Sequence, residues 1–238
     1  MHTSAPNAHW WRQLRSRLTT LWQIKAASNT LGMMAFFAVY FWVLRNPQFE
    51  VTMMPLTALD RWVGFAPAAM PLYVSLWIYV SLPLALLRTR GELLSYGVAT
   101  FALSASGLAI FLLWPTAAPA FDIDWSQHPS VEFLKTVDLS GNACPSLHVA
   151  FAVFTMVWLD RLLREMNAGT AWRGANLVWC LGILYSTLAV RQHVALDIAA
   201  GAALGAAVVA LQLRALNRAQ RRHAGPRPAA AAPVRNPA

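Results

Sequence analysis

Residues 191–197, RQHVALD, stand at the start of an apolar run that extends to residue 213. A helix needs about 20 mainly apolar residues to cross a membrane, so this run predicts a spanning helix that begins near residue 195. His193 and Asp197 are four residues apart at its start. Because an ionisable group inside an apolar span is costly and usually functional, the stretch predicts a membrane fold and also the position of its site.

The composition agrees with a membrane protein. The 238 residues are 57% hydrophobic and 12% charged, whereas a soluble domain carries about 25% charged residues. We therefore expect an all-α, polytopic membrane protein with six transmembrane helices. The fourth span is short, and its helix is expected to continue past Asp160 into the headgroup region. The predicted spans lie near residues 27–44, 69–87, 93–114, 147–159, 175–190 and 195–213.

The N-terminal segment, residues 1–26, predicts an amphipathic helix at the membrane surface. Trp10 and Leu14 recur at helical spacing, and Arg12 and Arg15 fall mostly on the other side. This pattern is typical of a helix that lies on an anionic bilayer. A plain soluble cap before the first span is the alternative interpretation.

The charge pattern predicts which side of the membrane each segment faces. The net charge is +9, and the basic residues flank the spans. A basic chain can bind nucleic acid, but the cytoplasmic bias of arginine and lysine explains this distribution better, and no nucleic-acid partner is expected. Both termini are then cytoplasmic in an inner or plasma membrane. The loop 115–146 and the turn at Arg191 lie on the extracytoplasmic face.

The chain divides into three predicted regions. Residues 1–26 form the cytoplasmic, interfacial segment, and residues 27–213 form the membrane domain with six spans. Residues 214–238 are basic and rich in proline and alanine, which predicts a disordered cytoplasmic tail.

A second polar motif, CPSLH at residues 144–148, precedes the fourth span. Proline is tolerated in the first turn of a helix. The exposed N–H groups of that turn favour an anion, so Ser146 could contact a phosphate and His148 could act as an acid beside it. An ordinary N-cap with an interfacial histidine is the alternative. The planar guanidinium of Arg191 suits phosphate, and anchoring to lipid headgroups is its alternative role.

The pair His193 and Asp197 has its own chemistry. Residues four apart share one face of a helix, so the carboxylate could accept a hydrogen bond from one imidazole nitrogen. That bond would fix the tautomer and leave the other nitrogen free to attack or bind. A buried pair that satisfies only itself is the alternative.

The order Pro-Ser-x-His followed by His-x-x-x-Asp resembles the type 2 phosphatidic acid phosphatase (PAP2) superfamily. The fuller wording resembles its inositolphosphotransferase branch, which includes inositol phosphorylceramide synthase. The resemblance implies a bundle of six helices and phosphoryl transfer that needs no metal and no cofactor. By the same resemblance, His193 is the nucleophile that forms a phosphohistidine, and Asp197 orients it. His148 protonates the leaving oxygen, and Ser146 and Arg191 hold the phosphate.

The chain departs from the pattern of the superfamily at three positions. Gly107 and Trp114 stand where the first motif has lysine and arginine, and Thr187 follows Ser186 where the third motif has arginine. Fewer cations predict a substrate with less phosphate charge than a monoester, or an altered enzyme. Lys135, in the long loop, is a candidate replacement for one lost cation.

These observations favour a membrane lipid phosphatase that removes phosphate from a lipid phosphate or pyrophosphate. The alternatives are a phosphotransferase that moves a headgroup between lipids, a metal site built on two histidines and a carboxylate, and a transporter or scaffold without catalysis. The expected partners are the bilayer and a lipid phosphate or phospholipid substrate. The sequence leaves the oligomeric state open.

Overall fold

A computed structural model of the chain describes residues 6–138 and 141–223. Within them the chain forms helices almost throughout, with two short strands, β1 (Thr52–Met53) and β2 (Thr116–Ala117). The helices are α1 Pro6–Thr19, α2 Trp22–Arg45, α3 Ala58–Trp62, α4 Met70–Val74, α5 Leu76–Tyr79, α6 Ser81–Leu86, α7 Arg90–Leu113, α8 Pro129–Asp138, α9 Leu147–Glu165, α10 Thr170–Ala189 and α11 Ala195–His223.

Four segments of the described chain are long and apolar enough to cross a membrane. Together with the composition, they make the chain an integral membrane protein. Helices α9 and α10, of 19 and 20 residues, are not among the four: α9 carries four charged residues in its last two turns, and the polar residues of α10, such as Arg173 and Asn176, lower its mean hydropathy. The count of six spans therefore stays a prediction. The four segments are Trp22–Arg45, Pro67–Leu86, Arg90–Leu113 and Ala195–Ala219.

Helix α9 lies at the centre of the bundle. It packs against α11 and α10 on two sides and against α5, α6 and α7 on the others. Val149, Ala150, Ala152 and Phe154 are fully buried in these contacts. Small residues are common along the facing helix α11, so it approaches α9 closely, as in other membrane helix pairs.

Helices α9 and α11 approach each other to backbone contact. A Cβ atom at Gly201 would overlap the carbonyl oxygen of Ser146, and one at Gly205 would overlap that of Ala150. The two glycines are one turn apart, so the two backbones touch with no side chain between them. The backbone N–H of Ser146 also donates to the carbonyl of Asp197 at 3.0 Å. The first turns of the two helices are therefore held side by side.

The two strands connect the loops at the same end of the bundle. They pair in parallel, with Thr52 opposite Thr116. The side chain of Thr116 accepts from the backbone N–H of Cys144 at 2.7 Å, and its carbonyl accepts from Ala143 at 3.2 Å. This pairing fixes the chain that leads into α9.

Both ends of the chain differ in detail from the predicted boundaries. Helix α1 is present at Pro6–Thr19, and its location on a membrane surface stays a prediction. Helix α11 continues to His223, ten residues beyond the predicted boundary at residue 213, because the helical backbone does not stop where the apolar run does. The remaining predicted tail, residues 224–238, lies outside the described residues.

The glycine contact predicts a specific sensitivity to one added methyl group. Gly201→Ala should lower the free energy of unfolding by about 1–3 kcal/mol, because the new methyl meets backbone atoms that cannot turn away. Gly174→Ala in α10 is the matched control, since a Cβ atom there meets nothing within 4 Å. Thermal unfolding in detergent measures both. Equal midpoints for the two variants would contradict the close contact.

Candidate active site

His148 and His193 line one cavity of about 150 Å³ at the end of the bundle where α9 and α11 begin. Aromatic side chains from α2, α4, α5 and α9 form much of its wall. A mainly apolar cavity with a few convergent polar groups is the usual form of a small-molecule site. Besides the two histidines, the aromatic lining residues are Phe36, Phe37, Tyr40, Phe41, Tyr73, Trp77 and Phe151.

The end of α10 directs His193 into this cavity. The N–H of Arg191 donates to the carbonyl of Leu188 at 3.0 Å, and that of Gln192 donates to Thr187 at 3.2 Å. These two bonds form a Schellman motif, in which the residue after the cap adopts a left-handed conformation and is usually glycine. Here that residue is Arg191, with φ 58°.

The main chain holds the ring of His193. Its Nδ1 atom lies 3.1 Å from the carbonyl oxygen of Ala143. A carbonyl can only accept, so Nδ1 carries the proton and donates it. The lone pair of the neutral ring is then on Nε2, which is the nitrogen that can attack an electrophile.

Asp197 lies beside this ring but does not hold it by a hydrogen bond. Its Oδ2 atom is 3.6 Å from Nδ1 of His193 and accepts instead from the backbone N–H of Val194 at 2.9 Å. The hydrogen bond predicted between Asp197 and His193 is therefore not formed, because α11 begins at Ala195 and His193 precedes it. Asp197 caps its own helix. The fully buried carboxylate remains close enough to stabilise positive charge on the ring.

His148 faces the cavity from the first turn of α9. Its ring stacks on that of Tyr73, with centroids 4.1 Å apart and an angle of 12° between the planes. Trp77 contacts it edge to face at 6.2 Å. Its Nε2 atom is buried without a hydrogen-bond partner among the described residues. Buried polar atoms normally have partners, so this atom marks a position where a ligand would bind.

Ser146 occupies the N-cap of α9 and is fully buried. Its hydroxyl oxygen accepts from the backbone N–H of Val149 at 3.3 Å. The capping role that the sequence offered as an alternative is thus confirmed. Its hydroxyl hydrogen is the only part of the side chain that could contact a phosphate.

Cys144, in the same motif, is a buried free thiol. Burial raises its pKa to about 11, and the negative charge of nearby Asp197 adds to the increase. The thiolate is the reactive form, so Cys144 is a poor nucleophile at neutral pH.

Arg191 does not line the cavity that the two histidines share. Its Nη1 atom donates to the carbonyl of Asp60 at 2.8 Å, and its guanidinium lies 4.8 Å above the ring of Phe121. Its buried Nε atom has no partner among the described residues. Lys135 donates to the carbonyl of Arg191 at 2.5 Å, so the proposed substitute cation is next to this turn.

Asp60 is a buried carboxylate to which the sequence interpretation gave no role at the site. Its Oδ1 atom accepts from the N–H of Ala195, the first residue of α11, at 2.8 Å. Its Oδ2 atom accepts from both the N–H and the hydroxyl of Thr57 at 2.7 Å. The spacing of Thr57 and Asp60 predicts a cap for α3. The same spacing does not predict the hydrogen bond between Asp60 and Ala195, which are 135 residues apart in the chain.

Uncharged residues occupy the two positions where the first motif of the superfamily has cations. Gly107 is buried in α7, and a Cβ atom there would overlap the side chain of Leu147. Trp114 is 46% exposed and donates to the hydroxyl of Thr52 at 3.0 Å. Neither position supplies positive charge to the site.

Comparison with known proteins agrees with the motifs. The model of the PAP2 superfamily matches residues 91–221, more than half of the chain, and this range contains all five predicted site residues. The match is to the superfamily and does not single out the inositolphosphotransferase branch. No curated protein and no solved structure matches the chain.

The left-handed Arg191 allows its side chain and its turn to be tested separately. Arg191→Gly should change the unfolding midpoint little, because the cost of about 1 kcal/mol that glycine avoids in this conformation offsets the lost contacts with Asp60 and Phe121. Hydrolysis of a lipid phosphate should nevertheless fall about 100-fold or more, as expected for the loss of one phosphate-binding group. Both properties are measured on the same purified protein.

Asn167→Gly is the matched control. Asn167 has φ 56° and ends α9 with the same pair of backbone hydrogen bonds, at the opposite end of the bundle. Hydrolysis at the wild-type rate by Arg191→Gly would contradict a phosphate-binding role. An equal loss in Asn167→Gly would assign the effect to the turns.

Proposed function

The chain belongs to the PAP2 superfamily, and we propose that it is a membrane lipid phosphatase that hydrolyses a lipid phosphate or pyrophosphate. The observation that carries this proposal is the pair of histidines on one cavity. Nε2 of His148 is buried and has no partner among the described residues, and the contact of Nδ1 with Ala143 leaves the lone pair of His193 on Nε2. Two such nitrogens can serve as nucleophile and acid for one phosphorus atom.

In the first step, Nε2 of His193 attacks phosphorus while the bond from phosphorus to the lipid oxygen breaks. His148 donates its proton to that oxygen, and the lipid alcohol leaves. A bound phosphate beside His148 favours the protonated ring that this step needs. The product is a phosphohistidine whose Nδ1 still carries its proton, so the ring is positive. Asp197, 3.6 Å from Nδ1, stabilises this charge.

In the second step, water attacks the phosphohistidine. His148, now neutral, takes a proton from the water, and the bond between Nε2 and phosphorus breaks. Inorganic phosphate leaves, and both rings return to their initial states. A positioned acid or base contributes about 10²–10⁴ in rate to such a reaction.

The negative oxygens of the transferred group need positive partners. We assign this role to Arg191 and to the first turn of α9, where Ser146 is the cap. Arg191 already lies on the turn that carries His193, and its Nε atom has no partner among the residues described. The distribution of basic residues along the chain supports an extracytoplasmic location for this end of the bundle.

Two histidine variants test the mechanism with one assay. His193→Ala should abolish phosphate release, because it removes the nucleophile. His148→Ala should slow hydrolysis of an alkyl lipid phosphate about 10²–10⁴-fold. With p-nitrophenyl phosphate, whose leaving group needs no acid, His148→Ala should form the phosphoenzyme and accumulate it, because the second step lacks its base. Radiolabelled phosphate that is stable to alkali and labile to acid identifies the phosphohistidine.

His128→Ala is the control, since the His128 ring packs against Phe65 and does not line the cavity. It should behave as wild type in every measurement. Full phosphate release by His193→Ala in detergent would exclude His193 as the nucleophile. Phosphoenzyme in that variant would place the covalent bond on another residue.

A phosphotransferase is the second candidate, and the packing at Gly107 and Trp114 favours it. The site lacks the two cations of the first motif. It therefore suits a diester, which carries one negative charge, better than a phosphate dianion. The transferase would pass the phosphoryl group or headgroup from His193 to an alcohol in place of water.

Product analysis with and without an alcohol acceptor separates the two candidates. For the phosphatase, free phosphate should appear from phosphatidate or an isoprenyl pyrophosphate without any acceptor. The rate should change little when a lipid or inositol acceptor is added. If the only product is a phosphorylated acceptor, formed from a diester such as a phosphoinositide, the protein is the transferase and the phosphatase proposal is wrong.

A further inference from the structure

A second polar cleft lies at the other end of the bundle from the histidines. Its volume is about 330 Å³, and Arg12, Gln13, Ser16, Arg17 and Arg88 line it. Helix α7 connects the two ends: Arg88 lies just before its start, and the strand that contacts the candidate active site follows its end. The 24 residues of α7 correspond to about 36 Å, so the cleft is separate from the histidine cavity.

Helix α1 forms one wall of this cleft with a single face. Arg12, Gln13, Ser16 and Arg17 recur at helical spacing, so their side chains lie on the same side of α1. Lys25 fixes this helix against α6, because its Nζ atom donates to the carbonyl of Arg17 at 2.6 Å and to that of Ala85 at 2.8 Å. The wall is therefore built into the fold.

Arg17 lies at the base of the cleft and is only 5% exposed. Its guanidinium has two long contacts, 3.3 Å to the carbonyl of Leu86 and 3.5 Å to the carboxylate of Glu165. Its Nε atom is buried and has no hydrogen-bond partner among residues 6–138 and 141–223. A buried charge is costly unless it is well paired, and an anion in the cleft would complete the pairing of this guanidinium.

The carboxylates near the cleft are already engaged. Glu165 also accepts from Arg161 at 3.0 Å, and Glu92 accepts from the backbone N–H groups of Arg88 and Thr89 at 2.6 and 3.2 Å. Three guanidinium groups line the cleft together with the polar side chains Gln13 and Ser16. Guanidinium groups match the oxygens of a phosphate in geometry and charge.

We propose that this cleft binds the phosphate of an anionic membrane lipid, with Arg12, Arg17 and Arg88 as its cations. The location supports a lipid source, because exposed apolar side chains adjoin the cleft along α1 and the start of α2. These are Trp11, Leu18 and Trp22. The volume suits a headgroup. The bound lipid fastens α1 to the turn between α6 and α7.

Binding to the full-length protein in detergent tests this proposal without any assay of catalysis. The thermal unfolding midpoint is followed during titration with short-chain phosphatidylglycerol, short-chain phosphatidylcholine or sodium phosphate. The test variant is Arg12→Gln/Arg88→Gln, because both side chains are exposed and their loss should not unfold the bundle. The control is Arg214→Gln/Arg218→Gln, which removes the same charge from exposed positions near the end of α11.

Phosphatidylglycerol should stabilise the wild type and the control at the same concentration. The test variant should need about 25-fold more, roughly fivefold for each arginine removed. The same pattern with sodium phosphate would keep the site and identify free phosphate as a ligand. The proposal is overturned if the test variant titrates like the wild type, if the control loses as much, if phosphatidylcholine acts equally well, or if no addition stabilises the protein.

Discussion

The contact between α9 and α11 determines where every candidate catalytic group lies. Gly201 and Gly205 leave no side chain between the two backbones, so the helices begin at the same depth. The bond from Ser146 to the carbonyl of Asp197 then joins their first turns. His148 stands on the first turn of α9 and His193 lies two residues before α11, so both face one cavity. The chemistry proposed for the site thus depends on the absence of two methyl groups, since a wider spacing between the helices would separate the rings.

A main-chain carbonyl orients one imidazole and an aromatic ring orients the other, so neither orientation depends mainly on a charged partner. The carbonyl of Ala143 holds His193, and Tyr73 stacks on His148. Such partners add no charge to an apolar site. Among the described groups beside the two rings, Asp197 is the one that would neutralise the positive charge formed on His193 during transfer. Asp60 acts one step further away. It caps α11 and accepts from Arg191, and so fixes the turn on which the nucleophile stands.

Much of this fold and part of the site could be predicted from the sequence, because the signals are local. The apolar runs located the long helices, and the superfamily followed from CPSLH and RQHVALD, which the family match confirms. The missing details are contacts between distant residues. Ala143 and His193 are 50 apart, and the carbonyl involved would be present with any residue type at position 143. For the same reason the sequence does not reveal the role of Asp60, which accepts from a residue 135 positions away. Asp197 does lie 3.6 Å from the ring of His193, but the predicted hydrogen bond is not formed, because helical spacing was applied to a residue that precedes its helix.

Among the described helices, α2 alone lies between one side of the cavity and the exposed apolar surface of the bundle. One face supplies Phe36, Phe37, Tyr40 and Phe41 to the cavity. Its other side exposes Leu31, Met34, Val39 and Trp42, and almost none of its spanning residues is buried. If the substrate is the lipid phosphate that we propose, it could reach the histidines by displacing this weakly buried helix, without leaving the bilayer. Its chains could stay among their neighbours while only the headgroup crosses the boundary. Discrimination between lipids would then rest on the first few atoms beside phosphorus, and the length of the tails would matter little.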